Sequence, residues 1–249
     1  VNDNTPVVAG SQSFALAEDA GNGVAVGTVA ATDGDTGAVL GSWSIVSGNG
    51  DGIFQINAST GEITVLSNAN LDYETQTSYS LGVQVSDGTY TSATENVTVN
   101  ITDVNDNAPV ITPTQSFNVS ETASNGTSVG MVAATDVDTV GSLQNWSITA
   151  GDPGGAFQIN ASTGEITVLD NTQLDYETST SFTLTLTVGD GVNTSATETV
   201  TINLTDENLA GDFARTGQRP FPSAAIGGGV WTGGGVLAVV YLAETGVRL

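Results

Sequence analysis

The segment Asp103-Val104-Asn105-Asp106-Asn107-Ala108-Pro109 lies near the middle of the chain and concentrates side chains that carry oxygen. Four of its first five side chains carry oxygen, two of them as carboxylates, and Pro109 keeps the segment from continuing as a central strand. Ca2+ binds about six to eight such oxygens, so the segment supplies part of a hard-cation site. The other ligands must come from elsewhere in the chain.

The charge distribution restricts the partners. The net charge is -24, the chain has no His and no Cys, and its three basic residues, Arg215, Arg219 and Arg248, lie near the carboxyl end. Nucleic acid and anionic membrane surfaces are excluded as partners, because contacts with phosphate need Lys and Arg. Divalent cations are favoured instead. We expect no membrane insertion, because no apolar run reaches about 18 residues.

The chain is a tandem repeat followed by a tail of different composition. Val1–Pro6 aligns without gaps on Val104–Pro109, and Ile56–Leu66 reappears unchanged as Ile159–Leu169. Each repeat has about 100 residues, the size of a seven-stranded sandwich. We predict repeat domains at residues 1–103 and 104–208 and a Gly-rich tail at 209–249.

Apolar and polar residues alternate within each repeat. Leu81, Val83 and Val85 show this pattern, and turn pairs such as Asp87-Gly88 interrupt it. A period of two residues is typical of half-buried antiparallel strands. No stretch shows sustained helical periodicity. The sequence therefore predicts two all-β sandwiches joined end to end.

The tail leaves two interpretations open. Gly227–Gly229 and Gly233–Gly235 flank Val230 and Trp231, and the apolar run Val236–Ala243 follows. This run is too short to span a bilayer but suits a buried strand. The tail is either irregular sequence that packs where it can, or it adds a strand to a sheet edge of this molecule or of a neighbour.

Acidic residues recur at the same places in both repeats. The recurring positions are an early Glu (Glu18 and Glu121), an Asp-x-Asp pair (Asp33/Asp35 and Asp136/Asp138), a Leu-Asp-x-Glu (Asp72/Glu74 and Asp175/Glu177) and an Asp-Gly turn (Asp87 and Asp190). Together with the Asp-x-Asn-Asp-Asn linker at residues 103–107, these motifs in this order resemble tandem cadherin repeats over residues 1 to about 208. Phe54-x-Ile56-Asn57-x-x-Thr60-Gly61-x-Ile63 resembles a further family motif, with Asn57 in place of the usual Asp. The resemblance implies Greek-key, seven-stranded sandwiches of immunoglobulin-like architecture.

The resemblance also implies about three Ca2+ ions at the central linker, bound by the domain before, the linker and the domain after. Independently of it, so many carboxylates at one place cannot all stay ionised without cations. The competing interpretation is that they form ordinary Asx turns and solvated loop ends. The implied ligands are Glu18, Asp72 and Glu74; Asp103, Asn105 and Asp106 with backbone carbonyls near Val104 and Asn107; and Asp136, Asp138 and Asp190.

Two outer sites are incomplete. Leu209 and Ala210 stand where the first linker has Asp106 and Asn107, so the second linker is broken. We expect such a chain to be a piece of a longer array or an array end. The partial sites are Asn2, Asp3 and Asn4 with Asp33, Asp35 and Asp87, and Glu121, Asp175, Glu177 and Asp206.

The resemblance implies a calcium-dependent adhesion protein outside the cell or on its surface. Ions at the linker would make the repeats stiff, and the partners would be other copies of the chain or another cell-surface protein. The amino-terminal tryptophan of strand-exchanging cadherins is missing, and we predict that Trp43 and Trp146 face the cores. Repeats without Lys, Arg or Cys favour a bacterial surface protein.

The sequence leaves three other functions open. A calcium-dependent carbohydrate-binding module would contact polysaccharide through Tyr73, Tyr90, Tyr176 and any exposed tryptophan. A fibre subunit would polymerise through the tail. Catalysis is the weakest interpretation, because without His, Cys or Lys only a perturbed carboxylate pair such as Asp72/Glu74 could act as acid and base. We therefore predict that the protein is not an enzyme.

Overall fold

A computed structural model of the chain describes residues 1–206. These residues form eighteen short strands and one 3-10 helix, Asn171–Gln173. The prediction of an all-β fold is confirmed. The apolar run Val236–Ala243 and the rest of the tail lie outside the described residues, so both interpretations of the tail stay predictions.

The first repeat contains two main sheets and a short strand pair. Its strands are β1 Val7–Val8, β2 Ser13–Ala17, β3 Ala25–Thr28, β4 Ala31–Thr32, β5 Gly41–Ser47, β6 Phe54–Ile56, β7 Glu62–Val65, β8 Ser78–Ser86 and β9 Glu95–Thr102. The sheets have the orders β2-β9-β8-β5 and β3-β7-β6, and β1 pairs with β4. The two main sheets contain seven strands, as the sequence predicts.

The second repeat has the same topology. Its strands are β10 Val110–Ile111, β11 Ser116–Ser120, β12 Ser128–Met131, β13 Ala134–Thr135, β14 Gln144–Ala150, β15 Phe157–Ile159, β16 Glu165–Val168, β17 Ser181–Gly189 and β18 Glu198–Thr205. The sheets have the orders β11-β18-β17-β14 and β12-β16-β15, and β10 pairs with β13.

One pairing in each repeat differs from the antiparallel pattern predicted. Strand β2 runs parallel to β9, with Ser13 opposite Thr98, and β11 runs parallel to β18, with Ser116 opposite Thr201. Parallel neighbours need a long connection between them. The first and last strands of the large sheet meet this condition, because most of the repeat lies between them.

The alternating residues form the cores. Leu81, Val83 and Val85 are fully buried, while the intervening Gln84 is only half-buried. Buried apolar side chains form two separate clusters, one from each repeat. Burying a Leu or Val side chain contributes about 1.5 to 3 kcal/mol, so these clusters supply the main driving force for each sandwich.

The two tryptophans lie in these cores, which confirms the prediction made for them. Trp43 and Trp146 are 6% and 5% exposed. Gly61 and Gly164 have φ angles of +73° and +75°, and a Cβ there would lie 2.8 and 2.9 Å from the indole rings. Only glycine therefore allows the tight turn before β7 and β16 to lie against the rings.

Residues Val1–Thr205 form one compact unit, which contains both repeats and the linker. Within residues 1–206, no helix is long and apolar enough to cross a membrane.

Candidate metal centre

The acidic side chains near the linker lie at or just after the ends of strands. Glu18 directly follows β2, Asp103 directly follows β9, and Asp190 directly follows β17. Asp136 and Asp138 come just after β13. The loops of one end of the first sandwich and those of the facing end of the second therefore border the same segment of chain.

Glu18 ties the first repeat to the linker backbone. Its side chain is 4% exposed. Oε1 accepts a hydrogen bond of 2.7 Å from the Val104 N–H, and Oε2 accepts one from the Tyr73 N–H. Each carboxylate oxygen has a second lone pair, so both oxygens can still coordinate a cation.

Carboxylates from both repeats and from the linker form one continuous cluster. In each of three groups, one oxygen per residue lies within 4.8 Å of the others. The groups are connected, because Glu74 belongs to the first two and Asp138 to the last two. The groups are Glu18, Asp72 and Glu74; Glu74, Asp106 and Asp138; and Asp136, Asp138 and Asp190.

Hydrogen bonds from the second repeat hold the linker on this cluster. The N–H and hydroxyl groups of Thr139 both donate to Oδ2 of Asp103. Asn107 donates to Asp138 twice, from its backbone N–H at 3.0 Å and from its side-chain amide at 2.9 Å. The linker is therefore bound to loops of both domains.

Unpaired carboxylate oxygens mark where a cation fits. Among residues 1–206, the buried side-chain polar atoms without a hydrogen-bond partner are Oδ1 of Asp103 and Oδ2 of Asp33, Asp136 and Asp190. All four belong to aspartates that the sequence singled out. A buried polar atom without a partner costs about 1 to 3 kcal/mol, and more when it is charged. Hard oxygen donors of this kind match Ca2+.

For Asp136 and Asp190, the interpretation as Asx turns accounts for one oxygen of each carboxylate. Oδ1 of Asp136 accepts from the Asp138 N–H at 3.2 Å, and Oδ1 of Asp190 accepts from the N–H groups of Val192 and Asn193 at 2.7 and 2.8 Å. The desolvation of Asp190 is outweighed by these donors, so its pKa lies below the ordinary value. The turns use one oxygen and leave the other for a ligand.

The cluster has no compensating positive side chain, because residues 1–206 contain no Lys, Arg or His. Desolvation raises the pKa of Glu74, and repulsion from Glu18, Asp103 and Asp138 raises it further. Desolvation raises the pKa of Asp106 as well, with repulsion from Glu18 and Asp138 the next causes. Bound cations would remove this repulsion.

The amino-terminal partial site is assembled in the same way on a smaller scale. Asp33, Asp35 and Asp87 each place an oxygen within 4.8 Å of the others. The backbone and side-chain amides of Asn4 donate to Asp35 at 2.7 and 2.6 Å, and the Asn4 backbone bond is the main reason why the pKa of Asp35 is lowered. The Asn2 amide nitrogen fits between Asp35 and Asp87, at 3.1 and 3.0 Å. Asp3 also donates its N–H to Asp35.

The carboxyl-terminal partial site is not assembled in this way. Within residues 1–205, Glu121, Asp175 and Glu177 do not form a group of three with oxygens in mutual reach. Glu121 is nevertheless 4% exposed and accepts a hydrogen bond of 3.0 Å from the Tyr176 N–H. A cation site at this end stays a prediction.

Sequence reasoning missed three residues at the linker. Asn193 donates to linker oxygens, Thr139 holds Asp103, and Gly141 has a φ of +85° at a place where a Cβ would collide with the Asn105 amide. Asn193 and Gly141 could have been noticed, because the otherwise matching first repeat has Tyr90 and an alanine there. Thr139 carried no such signal, since both repeats have threonine at that place.

Within residues 1–206, the aromatic side chains considered for sugar binding are mostly buried or half-buried. Trp43 and Trp146 are buried in the cores, and Tyr73 and Tyr176 are half-buried. Tyr90 is 41% exposed. The carbohydrate-binding alternative therefore loses its largest candidate contacts.

Two seven-stranded sandwiches with an acidic linker define a tandem β-sandwich repeat protein, and comparison with known proteins identifies the family. The model of the cadherin domain matches residues 12–102 and 115–205. The chain therefore belongs to the cadherin family.

Similar proteins are long animal cadherins. Human cadherin EGF LAG seven-pass G-type receptor 2 is 37% identical over 185 residues, which are 74% of this chain and 6% of that protein. Rat cadherin-23 is 38% identical over 190 residues, which are 73% of this chain and 6% of that protein. The chain thus spans a small part of these relatives, and the bacterial source stays a prediction.

Solved cadherin structures superpose on the fold. Mouse cadherin-23 EC22-24 has a TM-score of 0.64 and 31% identity, and the match covers 83% of this chain and 66% of that one. The human desmocollin-1 ectodomain has a TM-score of 0.66 and 26% identity, covering 83% and 43%.

Proposed function

We propose that this chain is a calcium-binding, extracellular adhesion module in which about three Ca2+ ions at the central linker make two cadherin repeats one stiff unit. The observation that carries the proposal is the set of unpaired, buried oxygens on Asp103, Asp136 and Asp190. They belong to the linker and the second repeat, and the linked carboxylate groups extend to Glu18 and Glu74 in the first. Cations at this place would join both repeats and the linker.

The residues have distinct parts in this function. The first repeat would contribute the carboxylates of Glu18, Asp72 and Glu74, which repel one another without a cation. Extracellular calcium modules have dissociation constants of roughly 0.1 to 1 mM, so the sites would fill outside a cell and empty in cytosol. Calcium at ~100 times its dissociation constant would stabilise the fold by ~2.7 kcal/mol per site. The remaining ligands would be Asp103, Asn105, Asp106, carbonyls near Val104 and Asn107, and Asp136, Asp138 and Asp190.

Membership in the cadherin family supports adhesion rather than catalysis, because its domains are in general extracellular adhesion modules that bind Ca2+. One solved relative is described as protocadherin gamma B2 extracellular cadherin domains 3-6. The partners we propose are other copies of this chain or another cell-surface protein.

A calcium titration by calorimetry, combined with small-angle scattering in calcium and in EGTA, tests the proposal. We expect saturation near three ions and an extended particle that becomes flexible in EGTA. Asp106→Ala should lose affinity and stiffness. Asp51→Ala is the matched control, because it removes one exposed carboxylate from a turn that belongs to none of the carboxylate groups. Absence of calcium uptake by the unmodified chain would overturn the proposal.

A further inference from the structure

The side chain of Asn193 bridges the second repeat and the linker. Its Nδ2 atom donates to the Asn107 carbonyl at 2.8 Å and to Asn105 Oδ1 at 3.1 Å, with a longer contact of 3.4 Å to the Asn105 carbonyl. An amide group has two N–H donors, so the two shorter contacts use both of them. One half-buried side chain therefore holds two linker oxygens that belong to the proposed ligand set.

The backbone of Asn193 is held in place by a carboxylate of the same cluster. Oδ1 of Asp190 accepts from the N–H of Asn193, and the Asp190 N–H donates to the Asn193 carbonyl at 3.2 Å. The side chain of Asp190 is 2% exposed, so the turn starts from a buried anchor. The position of the Asn193 amide is therefore determined by the turn that also orients a proposed ligand.

The first repeat has the same turn without the amide. Oδ1 of Asp87 accepts from the Tyr90 N–H at 2.7 Å, and the Asp87 N–H donates to the Tyr90 carbonyl at 3.2 Å. Tyr90 occupies the place of Asn193 and is 41% exposed. The side-chain amide group of Asn2, the counterpart of Asn105, lies among Thr89, Asp35 and Asp87 instead. The two repeats thus share the turn and differ in the side chain that could hold the linker.

We propose that Asn193 is a positioning residue that holds Asn105 and Asn107 in place before calcium binds and thereby sets the calcium affinity of the central linker. This inference depends on the proposed function. A carbonyl oxygen that accepts one hydrogen bond keeps a second lone pair for a cation. Ordering the linker in advance lowers the entropy that binding must remove, which raises affinity.

Asn193→Ala in the full chain tests the inference, with Tyr90→Ala as the matched control at the same turn. The protein is produced in a bacterial host that does not glycosylate it, because Asn193-Thr194-Ser195 is an acceptor sequence for N-glycosylation. We expect calorimetry to show about tenfold weaker calcium binding for Asn193→Ala, which equals about 1.4 kcal/mol. Tyr90→Ala should bind like the unmodified chain.

Hydrogen exchange in EGTA provides a readout that does not involve bound calcium. We expect faster exchange of backbone amides at residues 104–108 in Asn193→Ala, with unchanged exchange in β17 and β18. Faster exchange throughout these strands would show a general structural role and overturn the inference. Equal affinity and equal linker exchange in Asn193→Ala and the unmodified chain would also overturn it while leaving the proposed function intact. A failure of the unmodified chain to bind calcium would overturn both.

Discussion

The buried carboxylate of Glu18 accepts a hydrogen bond from the backbone N–H of Val104, a residue 86 positions later in the chain. A side chain at the end of the second strand thus reaches the backbone of the linker. The same carboxylate belongs to a group with Asp72 and Glu74. Folding of the first repeat is therefore coupled to the position of the linker.

Glu18→Gln should weaken both the fold and calcium binding. A neutral amide cannot accept from the N–H groups of both Val104 and Tyr73 as the carboxylate does, so one buried donor loses its partner. Hydrogen bonds to charged groups contribute about 1.5 to 3 kcal/mol, and we expect a loss of that size in urea denaturation. Calorimetry should show about tenfold weaker calcium binding.

Glu121→Gln, the equivalent change in the second repeat, is the control and should lower stability without altering the calcium affinity of the central linker. Equal affinity losses in the two variants would contradict this assignment.

Asp106→Asn should have opposite effects with and without calcium. In EGTA the change removes a negative charge from a cluster of like charges, so we expect a higher melting temperature than that of the unmodified chain. In saturating calcium the change removes a proposed ligand, so we expect a lower melting temperature than that of the unmodified chain. Thermal unfolding followed by circular dichroism in both buffers measures the crossover. The same sign of change in both buffers would contradict a role for Asp106 in cation binding.

The effect of Asp106→Asn in EGTA should depend on pH. The pKa of Asp106 is raised above its ordinary value of 3.8, so the folded state binds a proton more tightly than the unfolded state. The charged carboxylate therefore destabilises the folded chain above its folded pKa, and the penalty disappears as pH falls below 3.8. The stabilisation by Asp106→Asn should be largest near neutral pH and fade toward pH ~4. A constant difference across a pH series of melting curves would argue against electrostatic repulsion as its cause.

Gly141→Ala should disturb the linker more than a comparable glycine change elsewhere. Gly141 and Gly37 have φ angles of +85° and +83°. Alanine in this backbone region costs about 1 to 2 kcal/mol at either place. A Cβ at residue 141 would also displace the Asn105 amide, whereas one at residue 37 meets nothing within 4 Å. We expect similar losses of stability but weaker calcium binding only for Gly141→Ala, as measured by calorimetry. Unchanged affinity in that variant would show that Asn105 can move without consequence.

Leu81→Ala and Leu184→Ala should each weaken one sandwich. Both leucines are fully buried, and they lie in separate hydrophobic clusters. Leu→Ala changes in cores cost about 2 to 5 kcal/mol. In EGTA we expect each variant to lower the unfolding temperature of its own repeat by calorimetry and to leave the other transition in place. A loss of both transitions together would contradict independent domains at residues 1–103 and 104–208.

Much of the fold follows from local patterns in the chain. The alternation of Leu81, Val83 and Val85 predicts a strand with one buried face, and the structure buries these residues. The parallel pairing of β2 with β9 was not predictable in this way, because alternation is the same in parallel and antiparallel strands at a half-buried edge. Which strands pair with each other depends on the path that the chain takes between the two sheets.

The sequence by itself determined the repeat, the period of its strands and the chemistry of the linker, because residue type and spacing are properties of the chain. It identified Asp103, Asp136 and Asp190 as oxygen donors, but not which of their oxygens stay unpaired. The tertiary structure decided that, since local turns occupy one oxygen of Asp136 and of Asp190, Thr139 occupies one oxygen of Asp103, and burial excludes water from the remaining oxygen of each. It also decided that Asn193 meets Asn107, a contact across 86 positions that requires two loops from different parts of the chain to converge.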